Sequence, residues 1–191
     1  MKQDFFESGV VYHVFNRGNN REDIFIEEKN YRFFLSLLKK YTLPVADIYA
    51  FCLLKNHFHL ALRIKDENLL TEKLKQKPYL AFSNMFNAYS KAINKAYNRH
   101  GSLFQEHLHR NRVEDEEYLM QLIAYIHLNP VKHGFTGDFK QYKYSSYQAY
   151  ISEKPTNIET NFIMNLFGDK GNFEYWHDLN KLFLEDKMSD I

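Results

Sequence analysis

From Phe58 to Ile64 every second residue is apolar: Phe58, Leu60, Leu62 and Ile64 alternate with His57, His59, Ala61 and Arg63. That is the period of a β-strand. Successive side chains leave a strand on opposite faces. The stretch therefore commits the chain to a sheet whose apolar face meets a core, with His57 and His59 side by side on the other face. Two imidazoles on one rigid surface make an incomplete metal site, which needs a third ligand and an open position. Taken alone, His-x-His is also what an ordinary polar strand face carries.

The neighbouring elements follow from the same patterns. Val10–Arg17 reads as a first strand, closed by Gly18-Asn19-Asn20, a cluster that favours positive φ. Glu28–Tyr41 reads as a helix with Tyr31, Phe34, Leu35 and Leu38 on one stripe, ended by Pro44. Asp47–Leu54 forms a second strand and pairs as a hairpin with the His57 strand through Lys55-Asn56. Asp66–Gln76 reads as helical, and Pro78 opens a longer helix through Tyr97. Leu103–Val113 reads as a fourth strand. Asp115-Glu116-Glu117 opens another helix, with acids where the helix dipole favours them, and Asn129-Pro130 stops it. Gln141–Tyr150 returns to the domain as a short turn or helix. Helices interleaved with a small, mainly antiparallel sheet give an α+β sandwich of the ferredoxin-like kind. On this reading the helices take one face and the His pair occupies the other.

Glu153-Lys154-Pro155-Thr156-Asn157 is the strongest boundary signal. It divides a domain of residues 1–152 from an acidic helical extension, 153–191, with helices at Ile158–Phe167 and Phe173–Leu184. Residues 152–191 hold four Lys and eight Asp or Glu, so the rest of the chain carries a positive balance despite a net charge of only +1. A local band, Lys91, Lys95, Arg99, Arg110 and Arg112 against Glu106 alone, has the charge that phosphate contact needs. It also suits a plain solvated face. The single Cys52 lies in an apolar run and excludes an internal disulfide. No window is long and apolar enough for a membrane span, and no N-terminal stretch reads as a signal peptide, so the expected compartment is the cytoplasm.

The helix from Asp115 to Leu128 supplies a second constellation. Tyr125 and Asn129 are four apart and share a helical face. Alone, Tyr125 suits packing and Asn129 suits a helix stop. With the His pair they become chemically coherent. A tyrosine hydroxyl can act as a covalent nucleophile. A divalent ion held by His57, His59 and the Asn129 amide oxygen would have neutral protein ligands only, and would keep its charge for a phosphate oxygen.

At these residues the chain resembles the HUH endonucleases, specifically the single-tyrosine transposases and, within them, the REP-associated tyrosine transposases. The likeness runs over about residues 10–150, through Tyr12-His13-Val14-Phe15-Asn16-Arg17-Gly18, Lys55-Asn56-His57-Phe58-His59-Leu60, Gly101-Ser102-Leu103-Phe104-Gln105, Tyr125-Ile126-His127-Leu128-Asn129-Pro130 and Tyr144-Ser145-Ser146-Tyr147. It departs from the family where Leu54-Lys55 replaces the usual Met-Pro and where Asn16 replaces Ser. The resemblance implies a ferredoxin-like core and magnesium or manganese on His57 and His59 with Asn129 as third ligand. It also implies attack by Tyr125 on single-stranded DNA beside a hairpin, giving a 5′-phosphotyrosine link. Arg17, Lys55, Lys91, Lys95, Arg110 and Arg112 are the candidate DNA contacts. A hairpin-binding host protein without transposition, or an RNA-binding module, are the competing readings. A homodimer and a monomer both fit the sequence.

Overall fold

In the computed structural model, which describes residues 6–152 and 154–189, four strands form one antiparallel sheet. They are β1 (Val11–Arg17), β2 (Ala46–Leu54), β3 (His57–Ile64) and β4 (His109–Val113), in spatial order β2-β3-β1-β4. This is the ferredoxin-like arrangement read from the sequence. Helices α1 (Glu28–Leu37), α2 (Glu72–Gln76) and α3 (Tyr79–Ala96) come before β4. Then follow α4 (Glu116–Lys132), α5 (Tyr147–Ile151), α6 (Thr160–Phe167) and α7 (Lys170–Ser189).

The sheet has a core on each side. Phe58, Leu60, Leu62 and Ile64 of β3 join Tyr12 and Val14 of β1 under α1 and α3, where Phe34, Phe82, Met85 and Tyr89 meet them. Tyr49, Ala50, Cys52 and Leu54 of β2 face the second core instead, beneath Leu122, Ile123 and Ile126 of α4. A bulge between Ile48 and Ala50 makes this possible, because its extra residue turns Tyr49 and Ala50 to the same side. The second face is thus less open than the sequence suggests. α4 packs mainly over β2 and β3, and Val113 of β4 also enters this core.

Two local readings change. α4 does not stop at Asn129 but runs on to Lys132, through Pro130. Proline breaks helices by its missing N–H and its clash one turn back. Here Pro130 and Val131 are both buried, and that packing carries the last residues. The fourth strand is shorter than Leu103–Val113 because Leu103 and Phe104 turn into the first core while Glu106 and His107 stay exposed. The positive φ expected of the Gly18-Asn19-Asn20 turn falls on Asn20, and on Arg21 after it, while Gly18 has an ordinary φ of −61°. Its glycine is required for close approach: a Cβ there would lie 2.0 Å from the Glu22 carbonyl oxygen.

Asp115 caps α4 by accepting a hydrogen bond from the Tyr118 N–H at 2.7 Å. The extension beyond residue 153 joins the second core. Ile163, Phe167, Phe173 and His177 are buried against α4, and Glu159 N–H donates to the Ile48 carbonyl. No helix among the described residues is long and apolar enough to cross a membrane.

His127 on α4 and His177 on α7 are fully buried and bonded to each other at 2.9 Å. The chain of bonds sets both tautomers. His177 Nδ1 donates to the Phe173 carbonyl, so its Nε2 accepts from His127 Nδ1. His127 Nε2 then accepts from the Ser146 hydroxyl. Burial holds His127 well below the ordinary 6.5 and His177 at about 4. A histidine depressed in the folded state binds more protons when unfolded, so stability rises with pH across this interval. The expected result is a urea midpoint that falls steadily as pH drops from 7 to 5, above the range of ordinary carboxylates. A flat profile over that window would contradict neutral imidazoles in this core.

Candidate active site

The register of the sheet assembles the site. Opposite residues share a face, and β1 places Phe15 opposite His59 and Arg17 opposite His57. The two imidazoles lie 5.4 Å apart, centroid to centroid, and nearly perpendicular. α4, seated on β2 and β3, brings the Tyr125 ring to 5.5 Å from His59 and 6.1 Å from His13. Lys132, two turns on from Tyr125, sets its ammonium 4.7 Å from the centre of that ring. These groups line a cleft of about 310 Å³ with Phe15, Asn16, Arg17, Gln105, His109 and His133. No carboxylate is among the residues that line it.

Hydrogen bonds settle which nitrogen of His57 is free. The Asn56 amide nitrogen donates to the Arg21 carbonyl, so its oxygen faces His57 Nδ1 at 2.7 Å and that nitrogen carries the proton. Nε2 is then a lone pair, buried and without a partner. His59 Nδ1 lies 2.9 Å from His13 Nε2. Burial, with the His133 and Arg17 charges added, holds His57 at about 4. Burial and the facing imidazole of His13 hold His59 well below its ordinary range. Both rings are neutral at pH 7, the state in which histidine binds metal.

Asn129 is fully buried behind the cleft rather than on its wall. Its side-chain NH2 donates to the Tyr125 carbonyl at 2.7 Å, which turns Oδ1 away as a buried acceptor with no partner. Among the described residues no three His, Cys, Asp or Glu side chains form a metal cage. A cation here would rely on the imidazole pair and an amide. Two buried orphan acceptors, His57 Nε2 and Asn129 Oδ1, fit that donor set.

The candidate DNA contacts divide. Arg17 lines the cleft. Lys55 is exposed and paired with Asp23 at 3.0 Å. Arg110 and Arg112 stand opposite Val14 and Tyr12, residues of the first core, so they point away from the His pair. Arg110 lies over the Phe6 ring at 5.0 Å, and Arg112 meets Glu7 at 3.4 Å. Lys91 and Lys95 are exposed on α3, which packs on that same first face.

No protein-family model matches the chain. Over 111 residues it is 29% identical to a Haemophilus influenzae protein described as "Putative REP-associated tyrosine transposase", a match covering 53% of this chain and 59% of that protein. The chain thus spans about three-fifths of that relative. A solved structure of a REP-associated tyrosine transposase bound to a REP hairpin superposes with a TM-score of 0.60 at 14% identity, over 81% of this chain and 88% of the other. The chain is thus similar in sequence to the first of these transposases and in fold to the second. Sequence reasoning missed His13, His109, Lys132 and His133 as neighbours of the Tyr125 cleft. The first was legible, since His13, Phe15 and Arg17 share one parity on β1. Lys132 was hidden by the expectation that Asn129-Pro130 ended the helix.

Proposed function

We propose that this chain is a transposase that cuts and rejoins single-stranded DNA beside a hairpin, with Tyr125 as nucleophile. The supporting observation is the meeting of a phenol from α4 with two neutral imidazoles from β3 in one acid-free cleft. His57 and His59 would hold magnesium or manganese, with the Asn129 amide oxygen as third ligand. When bound, that ion polarises a non-bridging phosphate oxygen and offsets charge developing on it. Tyr125 Oη loses its proton to water, attacks phosphorus and forms a P–O bond. The 3′ oxygen leaves with the bonding electrons and takes up a proton as a free hydroxyl. Return attack by a 3′-hydroxyl releases the tyrosine and reseals a strand. Arg17 and Lys132 bring positive charge to the approaching backbone, which positions a strand without reading its sequence. One chain supplies both imidazoles and the phenol, so a single copy suffices for this chemistry, and a homodimer is not required. Helix α6 and the start of α7, through Ile163, Phe167, Phe173 and His177, act as a brace behind α4. The natural compartment for such a DNA-processing protein is the cytoplasm.

Purified protein is to be mixed with manganese and a pool of single-stranded stem-loop oligonucleotides bearing flanks. The expected result is a detergent-resistant protein–DNA adduct, lost on chelation and restored when manganese or magnesium is returned. Stem-loop binding with no adduct in any divalent metal would instead identify a hairpin-binding protein.

A further inference from the structure

A row of rings runs across the second face from beneath Tyr125 of α4 to the sheet edge. The register dictates it: His59 on β3 stands opposite Phe15 on β1, and Phe15 opposite His109 on β4. His13, two residues before Phe15, shares the face. Centroids lie 4.6 Å apart for His13 and Phe15, 5.7 Å for Phe15 and His59, and 5.1 Å for Phe15 and His109, with planes inclined by 30°, 26° and 15°. Exposure rises along the row. His59 and His13 are buried, Phe15 is half-buried and His109 is exposed, on a strand at the sheet edge. The stack therefore leads from the Tyr125 cleft out into solvent.

The surroundings suit an anionic chain with flat groups. Phe15, His109, Arg17 and Lys132 line one cleft that no carboxylate lines. Neither Arg17 nor Lys132 has a carboxylate partner among the described residues. A volume of about 310 Å³ lies at the small end of ligand clefts, nearer an unpaired nucleotide than a duplex. Stacking on aromatic rings beside basic side chains is how proteins hold single strands, and it tolerates any base.

We propose that the Phe15–His109 step seats an unpaired base flanking the phosphate that Tyr125 attacks. This inference rests on the function proposed above. It makes His109 and Phe15 base-binding residues and separates strand seating from hairpin binding.

The test uses the full chain and a stem-loop recovered from the pool above, with and without single-stranded extensions carrying 2-aminopurine beside the stem. Binding by the parent chain should quench the 2-aminopurine. His109→Ala and Phe15→Leu should each restore emission and weaken binding of the extended stem-loop about tenfold, the scale of one lost base stack. Affinity for the bare stem-loop should not change. His109 is exposed, so its truncation tests the seat without emptying a core. If the parent binds both stem-loops and the 2-aminopurine stays bright, or if both variants quench as the parent does, the base seat is overturned while hairpin binding stands. If the parent binds neither stem-loop, the proposed function falls and takes the seat with it.

Discussion

Tyr125→Phe abolishes the covalent protein–DNA adduct and leaves stem-loop affinity unchanged. The substitution removes one oxygen and keeps the ring. The half-buried ring can still pack 5.5 Å from His59 and beneath the Lys132 ammonium. What disappears is the atom that would bond to phosphorus. Deleting a covalent nucleophile costs on the order of 10⁶ in rate in the enzymes where it has been dissected. Adduct formation is read on a denaturing gel, and affinity by anisotropy on the same preparation. An adduct that persists in the Phe variant assigns the nucleophile to another residue.

Phe58→Ala lowers folding stability by about 3–5 kcal/mol, the usual cost of emptying a buried aromatic site. Phe58 lies on β3 between the two imidazoles and is wholly buried. Its ring meets Phe34 at 5.3 Å, Phe86 at 5.4 Å and Phe104 at 6.0 Å, from α1, α3 and the turn before β4. Rings held from three directions cannot collapse into the gap, so most of the cavity remains. Domains of this kind have about 5–15 kcal/mol in total. The variant should show a sharply lowered urea midpoint at unchanged slope. A loss below ~1 kcal/mol would mean that the first core does not close over β3 as described.

Strand and helix periodicity carried much of the architecture. Alternation on β3 showed which of its side chains enter the first core, and the order of elements led to the antiparallel four-stranded arrangement. Two failures have physical causes. Pro130 has the local chemistry of a helix stop, but burial of Pro130 and Val131 overrides it, a tertiary effect invisible in a linear pattern. The basic band looked like a surface of the site because its members are close in sequence. On β4 the period of two turns its arginines to the opposite face. His109 and Asn111 share the Tyr125 side, whereas Arg110 and Arg112 face the first core with Phe6 and Tyr12. The cleft gets its positive charge from Arg17 and Lys132, which lie 115 positions apart in the chain (132 − 17). Nothing in composition links them. His57, His59 and Tyr125 could be proposed from sequence because each sits at a position whose neighbours fix the direction of its side chain.

The chain contains one tryptophan, Trp176, and it packs on the second core, beside Phe167 at 6.4 Å. Its indole emission consequently watches the half of the molecule that seats the nucleophile's helix, and is blind to the half that seats Phe58. Comparing that emission with far-ultraviolet dichroism would separate detachment of α4 from melting of the sheet.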